Sequence, residues 1–112
     1  MTRVKSKAQI NHRKTKKLTK GFKQSRRTRI KAGKEAVLHA GQYAYVGRKL
    51  RKRDMRALWI IRISAAAKAN GTNYSKLMKG LKDNKIEIDR KILSDIAIKE
   101  PETFKKIISE IK

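Results

Sequence analysis

Between Arg48 and Arg56 six of nine residues are Lys or Arg, and the following run, Ala57–Ala69, is almost entirely apolar or small. No Gly, Pro or polar turn cluster separates the two. A helix entering this junction has no signal to stop. One helix must therefore meet two environments, a polyanion or solvent at its N-terminal end and a protein core at its C-terminal end. Folds that bury both halves alike are excluded, because like charges at i,i+4, such as Arg48–Lys52, Lys49–Arg53 and Lys52–Arg56, repel unless neutralised.

The same division runs through the whole chain. Residues 1–56 carry 20 basic and 2 acidic residues, a net +18, whereas residues 57–112 carry 12 and 7, a net +5. A chain of 112 residues forms at most one small domain. We expect a basic extension over residues 1–57 and a small helical domain over residues 58–112. Absence of cysteine removes disulfides and thiolate metal sites. No apolar run reaches membrane-spanning length, no secretory h-region follows the start, and the basic character continues past the length of a transit peptide.

Apolar residues are sparse from Thr2 to Ile30 and make no helical stripe, so this segment is expected to be frayed on its own. Lys20-Gly21-Phe22 reads as a break. From about Ser25 to Ala69 the chain reads as helix, roughly 65–70 Å if unbroken. Gly33, Gly41 and Gly47 each cost about 1 kcal/mol in a helix interior. Ala69-Asn70-Gly71 is a C-cap, and Thr72 or Asn73 is the next N-cap. Three shorter helices follow, with faces Tyr74/Leu77/Met78/Leu81, Ile92/Leu93/Ile96/Ala97 and Phe104/Ile107/Ile108/Ile111. Asp89 caps the second and Pro101 opens the third. Leu58, Trp59, Ile61, Ile63 and Ala66 are expected to wall this core. The fold class is all-α: a long basic N-terminal helical extension followed by a small helical C-terminal domain.

Catalysis finds no support. His12 and His39 are the two histidines, and neither has a paired carboxylate or thiol nearby in sequence. The glycines form no phosphate-cradling motif, and metal-ligand spacing is missing. No cofactor or metal is expected. The basic runs Arg13-Lys14-Thr15-Lys16-Lys17, Arg26-Arg27-Thr28-Arg29 and Arg48-Lys49-Leu50-Arg51-Lys52-Arg53 point to nucleic acid, whose binding releases condensed counterions. Tyr43 and Tyr45 face different sides of a helix; they suit base stacking or packing on a neighbouring helix equally. Charge spread on all sides would favour the interior of a folded RNA over one groove of a duplex. Asp54 can pair with Arg51 or stand exposed.

The blocks AGQYAY (Ala40–Tyr45), RKRDMRALWI (Arg51–Ile60), RISAAAKANG (Arg62–Gly71), NYSKLMKGLK (Asn73–Lys82) and IEIDRKILSDIA (Ile86–Ala97), with TRVK near the start and TKGF at Thr19–Phe22, resemble the family of the twentieth protein of the bacterial large ribosomal subunit. The resemblance covers essentially the whole chain. It implies a non-enzymatic structural constituent that binds large-subunit (23S-type) ribosomal RNA directly and assists assembly. It also implies contact with neighbouring proteins, protein twenty-one among them, and residence in the ribosome of a bacterial cytoplasm or of an organelle of bacterial descent. Some members of the family also repress translation of their own messenger. By the same resemblance Arg3, Lys5, Arg13, Lys14, Lys16, Lys17, Lys20, Lys23, Arg26, Arg27, Arg29, Lys31, Lys34, Arg48, Lys49, Arg51, Lys52, Arg53 and Arg56 would meet RNA phosphates. Val46-Gly47 departs from the charged residues usual there and sets helix continuity as a question for the structure. Two other classes compete. A DNA-binding chromatin-type protein would not prefer folded RNA, and a membrane-active cationic helix would need its basic face opposite an apolar Trp/Leu face.

Overall fold

The computed structural model describes residues 6–111, so Arg3 and Lys5 lie outside the described residues. Six helices and no strand occur among them: α1 (Lys7–Leu18), α2 (Ser25–Thr28), α3 (Ile30–Ala69), α4 (Tyr74–Asp83), α5 (Arg90–Lys99) and α6 (Pro101–Ile111). Two compact units result, Met1–Lys49 and Leu50–Lys112.

Helix α3 has 40 residues and runs without interruption through Gly41 and Gly47. Its upstream limit is Arg29, which is extended at φ −90°, ψ 129° and separates it from the short α2. At the other end Asn70 donates its side-chain amide to the Ala66 carbonyl at 2.8 Å, and Gly71 takes φ +75°. The Thr72 N–H then closes on the Ala67 carbonyl at 3.0 Å. This is the left-handed helix stop that Ala69-Asn70-Gly71 encodes. Asn73, not Thr72, caps α4, its side chain accepting from the Lys76 N–H at 2.8 Å. Asp89 occupies the N-cap position of α5 without a side-chain hydrogen bond.

In the second unit Ile63 and Ala67 of α3, Leu77 and Leu81 of α4, Leu93 of α5, and Phe104 and Ile108 of α6 form the core. Tyr74, Met78, Ile86, Ile88, Ile96, Ala97, Ile107 and Ile111 pack around it. Two expectations need correction. Leu58 and Ile61 do not wall the core; they are 37% and 64% exposed. At about 100° per residue they fall on the side of α3 opposite Ile63 and Ala67. Ile92 is 53% exposed as well, because Leu93 takes the core position of α5.

Helix α4 comes so close to α6 at Gly80 that a Cβ there would collide with the Ile111 side chain. The Arg90 guanidinium joins α5 to α4, its Nε donating to the Tyr74 hydroxyl at 2.9 Å. Ser94 is fully buried and its hydroxyl has no partner among the described residues. Burying an unpaired hydroxyl costs about 1–3 kcal/mol. Ser94→Ala is therefore expected to raise stability by about 1 kcal/mol, read as a higher urea midpoint with an unchanged slope.

Candidate nucleic-acid interface

In the first unit, Ser6 caps the N-terminus of α1, its hydroxyl accepting from the Gln9 N–H at 3.3 Å. The chain turns at Gly21, φ +88°, where a break was expected. Among the described residues of this segment the structure has the helices α1 and α2, and small residues make the contact with α3. A Cβ added to Gly33 of α3 would lie 3.2 Å from the Thr19 methyl, 3.4 Å from the Thr15 methyl and 3.1 Å from the Arg26 carbonyl oxygen. Thr19 is buried there, its hydroxyl donating to the Thr15 carbonyl at 3.1 Å. Gly33 thus serves as a contact surface rather than only a helix cost. Gly33→Leu is expected to force α1 and the Thr19 turn away from α3. Loss of hydrogen-exchange protection at the Thr19 and Phe22 amides, with the second unit unchanged, would register it.

Lys7 and every cation from Arg13 to Arg56 is exposed. The one ion pair among the described residues is Lys105–Glu102, at 3.2 Å and far along the chain. None of the sequence-assigned cations among the described residues therefore has an acidic partner. Asp54 stands exposed and unpaired among the described residues. Tyr43 and Tyr45 are 73% and 54% exposed, so neither is packed on a neighbouring helix as a core residue would be. Lys49 Nζ sits 4.5 Å from the Tyr45 ring centroid, a cation–π contact that covers one face of that ring.

The distribution of charge is a correction to the expected all-round cover. On α1, Lys7, Arg13, Lys14, Lys16 and Lys17 fall within about half the circumference, and Thr15 lies on the other half. On α3 within the first unit, Lys31, Lys34, Arg48 and Lys49 share one side, with Ala32, Ala36, Ala40, Tyr43 and Val46 opposite. Within the second unit, Arg51, Lys52, Arg53, Arg56 and Arg62 spread over about 200° of arc. Leu50, Asp54, Ala57, Leu58 and Ile61 fill a strip about 100° wide on the other side. A simple count of basic residues hides this sidedness. It becomes legible once helix continuity is known.

Two adjoining clefts open at the start of α3. One, of about 330 Å³, is lined by Phe22, Lys23, Arg26, His39 and Tyr43 over an alanine floor. The other, of about 400 Å³, shares Arg26, His39 and Tyr43 and adds Ser25 and Glu35. Sequence reasoning missed Phe22, His39 and Glu35 as site residues. Between Phe22 and Ser25, Gln24 holds φ 52°, ψ −135°, a conformation that costs a non-glycine residue about 1–3 kcal/mol. No group of side chains able to hold a metal ion occurs among the described residues. No helix there is long and apolar enough to cross a membrane.

Comparison with known proteins adds an independent line. The family model described as "Ribosomal protein L20" matches residues 2–107. The large ribosomal subunit protein bL20 of Clostridium kluyveri is 49% identical over 114 aligned positions, covering 100% of this chain and 96% of the relative. The protein of the same name from Roseiflexus castenholzii is 46% identical over 112 positions, covering 98% and 96%.

Proposed function

The chain belongs to the ribosomal protein L20 family, and from that premise we propose that it binds large-subunit ribosomal RNA directly through the basic faces of residues 1–57 and helps that RNA fold during assembly. As a member of that family it is a structural constituent of the large ribosomal subunit and not an enzyme. The observation that carries the RNA reading is the complete lack of acidic partners for the exposed cations up to Arg56 among the described residues. Uncompensated cations on one side of each helix match a phosphate-lined wall, and RNA binding would release its condensed counterions. Residues 58–112 act in this reading as the folded anchor. The strip Leu50–Asp54–Ala57–Leu58–Ile61 carries no cation and rewards apolar burial, so it is the side of α3 assigned to a neighbouring ribosomal protein, protein twenty-one being the candidate.

The test is a competition titration at near-physiological salt. Labelled large-subunit RNA fragments compete against duplex DNA of equal phosphate count. One RNA fragment is expected to be preferred by at least about a hundredfold, within the range that separates specific from non-specific binding. Equal competition by DNA would mean that charge alone acts, and would favour a chromatin-type binder instead.

A further inference from the structure

We propose that the paired clefts at the start of α3 form one binding site for a single unstacked guanine nucleotide. The inference rests on the RNA-binding reading above and names what one part of that surface recognises.

The first cleft has a mainly apolar lining that includes the Phe22 and Tyr43 rings, together with two cations, Lys23 and Arg26. A nucleotide has the complementary form: a planar apolar face attached to an anionic phosphate. Aromatic side chains stack on splayed bases in this way. The volume, about 330 Å³, falls at the small end of ligand sites, about 300–1,000 Å³. Phe22 is half-buried and Tyr43 is 73% exposed, so both offer accessible ring surface to a base.

The second cleft supplies the choice of base. Glu35 is one of two acidic residues in the first 56, and it lines this cleft beside Ser25 and His39. A carboxylate facing phosphates would repel them, so it needs a different role. An ionised carboxylate only accepts hydrogen bonds, through two adjacent oxygens. Guanine presents two adjacent donors, N1–H and N2–H, on its Watson–Crick edge. Adenine and cytosine place an acceptor beside their amino group, and uracil has a single N–H between two carbonyls. Guanine alone satisfies both oxygens at once. The unusual backbone at Gln24 lies in the segment that sets Phe22 and Arg26 against α3, where local strain is retained for positioning.

Kethoxal probing of the complex between the full chain and large-subunit ribosomal RNA tests this, because the reagent adds across guanine N1 and N2. The native chain is expected to protect one otherwise reactive guanine about tenfold or more. Glu35→Gln should restore its reactivity, since the amide offers one acceptor and a donor that opposes a guanine donor. Phe22→Ala should do the same by removing the stacking surface. Glu35 is exposed, so its replacement leaves the fold intact. If the chain binds the RNA but no guanine's protection depends on Glu35 and Phe22, the site is wrong and the RNA-binding reading stands. If the chain does not bind the RNA, both fall together.

Discussion

Replacing Arg48, Lys49, Arg51, Lys52, Arg53 and Arg56 together by Gln is expected to weaken binding to large-subunit ribosomal RNA by at least about a hundredfold near physiological salt. All six side chains are exposed and none pairs with an acid among the described residues, so the fold should be unaffected. Each phosphate contact contributes roughly 0.7–0.9 to the slope of log affinity against log salt. Loss of six contacts should flatten that slope by about four to five. The matched control replaces Lys76, Lys79, Lys82, Lys85, Lys91 and Lys99, which are also exposed but lie on α4, α5 and the connection between them. It removes the same net charge, so a long-range attraction would respond alike to both variants. Contacts confined to the basic face would not, and the control slope should change by no more than about one or two.

Phe104→Ala is expected to cost about 3–5 kcal/mol, the largest single-residue effect on stability in the chain. Phe104 is 1% exposed and stands among Ile63, Leu77, Leu93 and Ile108, where its removal leaves a cavity. At about 0.05–0.15 kcal/mol per residue, a unit of this size is stable by only several kcal/mol. The substitution therefore removes half or more of that margin, visible as a large fall in urea midpoint. The functional consequence separates charge from shape. The cations remain, so non-specific polyanion binding should persist at low salt. Preference for one ribosomal RNA fragment over duplex DNA should fall as the anchoring unit unfolds.

How legible all this was depends on the kind of signal. Caps are local chemistry, and Gly71, Asn73, Asp89 and Pro101 stand at the helix ends they announced. Helical periodicity found Leu77, Leu81, Leu93, Phe104 and Ile108, because each lies on a short helix with one buried face. Long α3 defeated the same reasoning. Its apolar residues occupy two opposite sides, so Leu58 and Ile61 look like core in a window that also holds Ile63. The approach of α1 to α3 was hidden for a different reason. Thr15, Thr19 and Gly33 make contact by being small, and no hydrophobic pattern reports that. In the candidate site, the cations were readable by composition. Phe22, Glu35 and His39 were not, since the turn at Gly21 brings Phe22 and Arg26 against the α3 face that carries Glu35, His39 and Tyr43, a pairing no single helix pattern reports.

Lysine-reactivity footprinting of the full chain, free and bound to large-subunit ribosomal RNA, tests the central claim residue by residue. Acylation followed by mass spectrometry should show Lys14, Lys16, Lys17, Lys20, Lys23, Lys31, Lys34, Lys49 and Lys52 strongly protected in the complex. Lys76, Lys79, Lys82, Lys99 and Lys105 should stay reactive. Uniform protection along the chain, or protection concentrated in α4–α6, would contradict the assignment of RNA binding to the basic N-terminal faces.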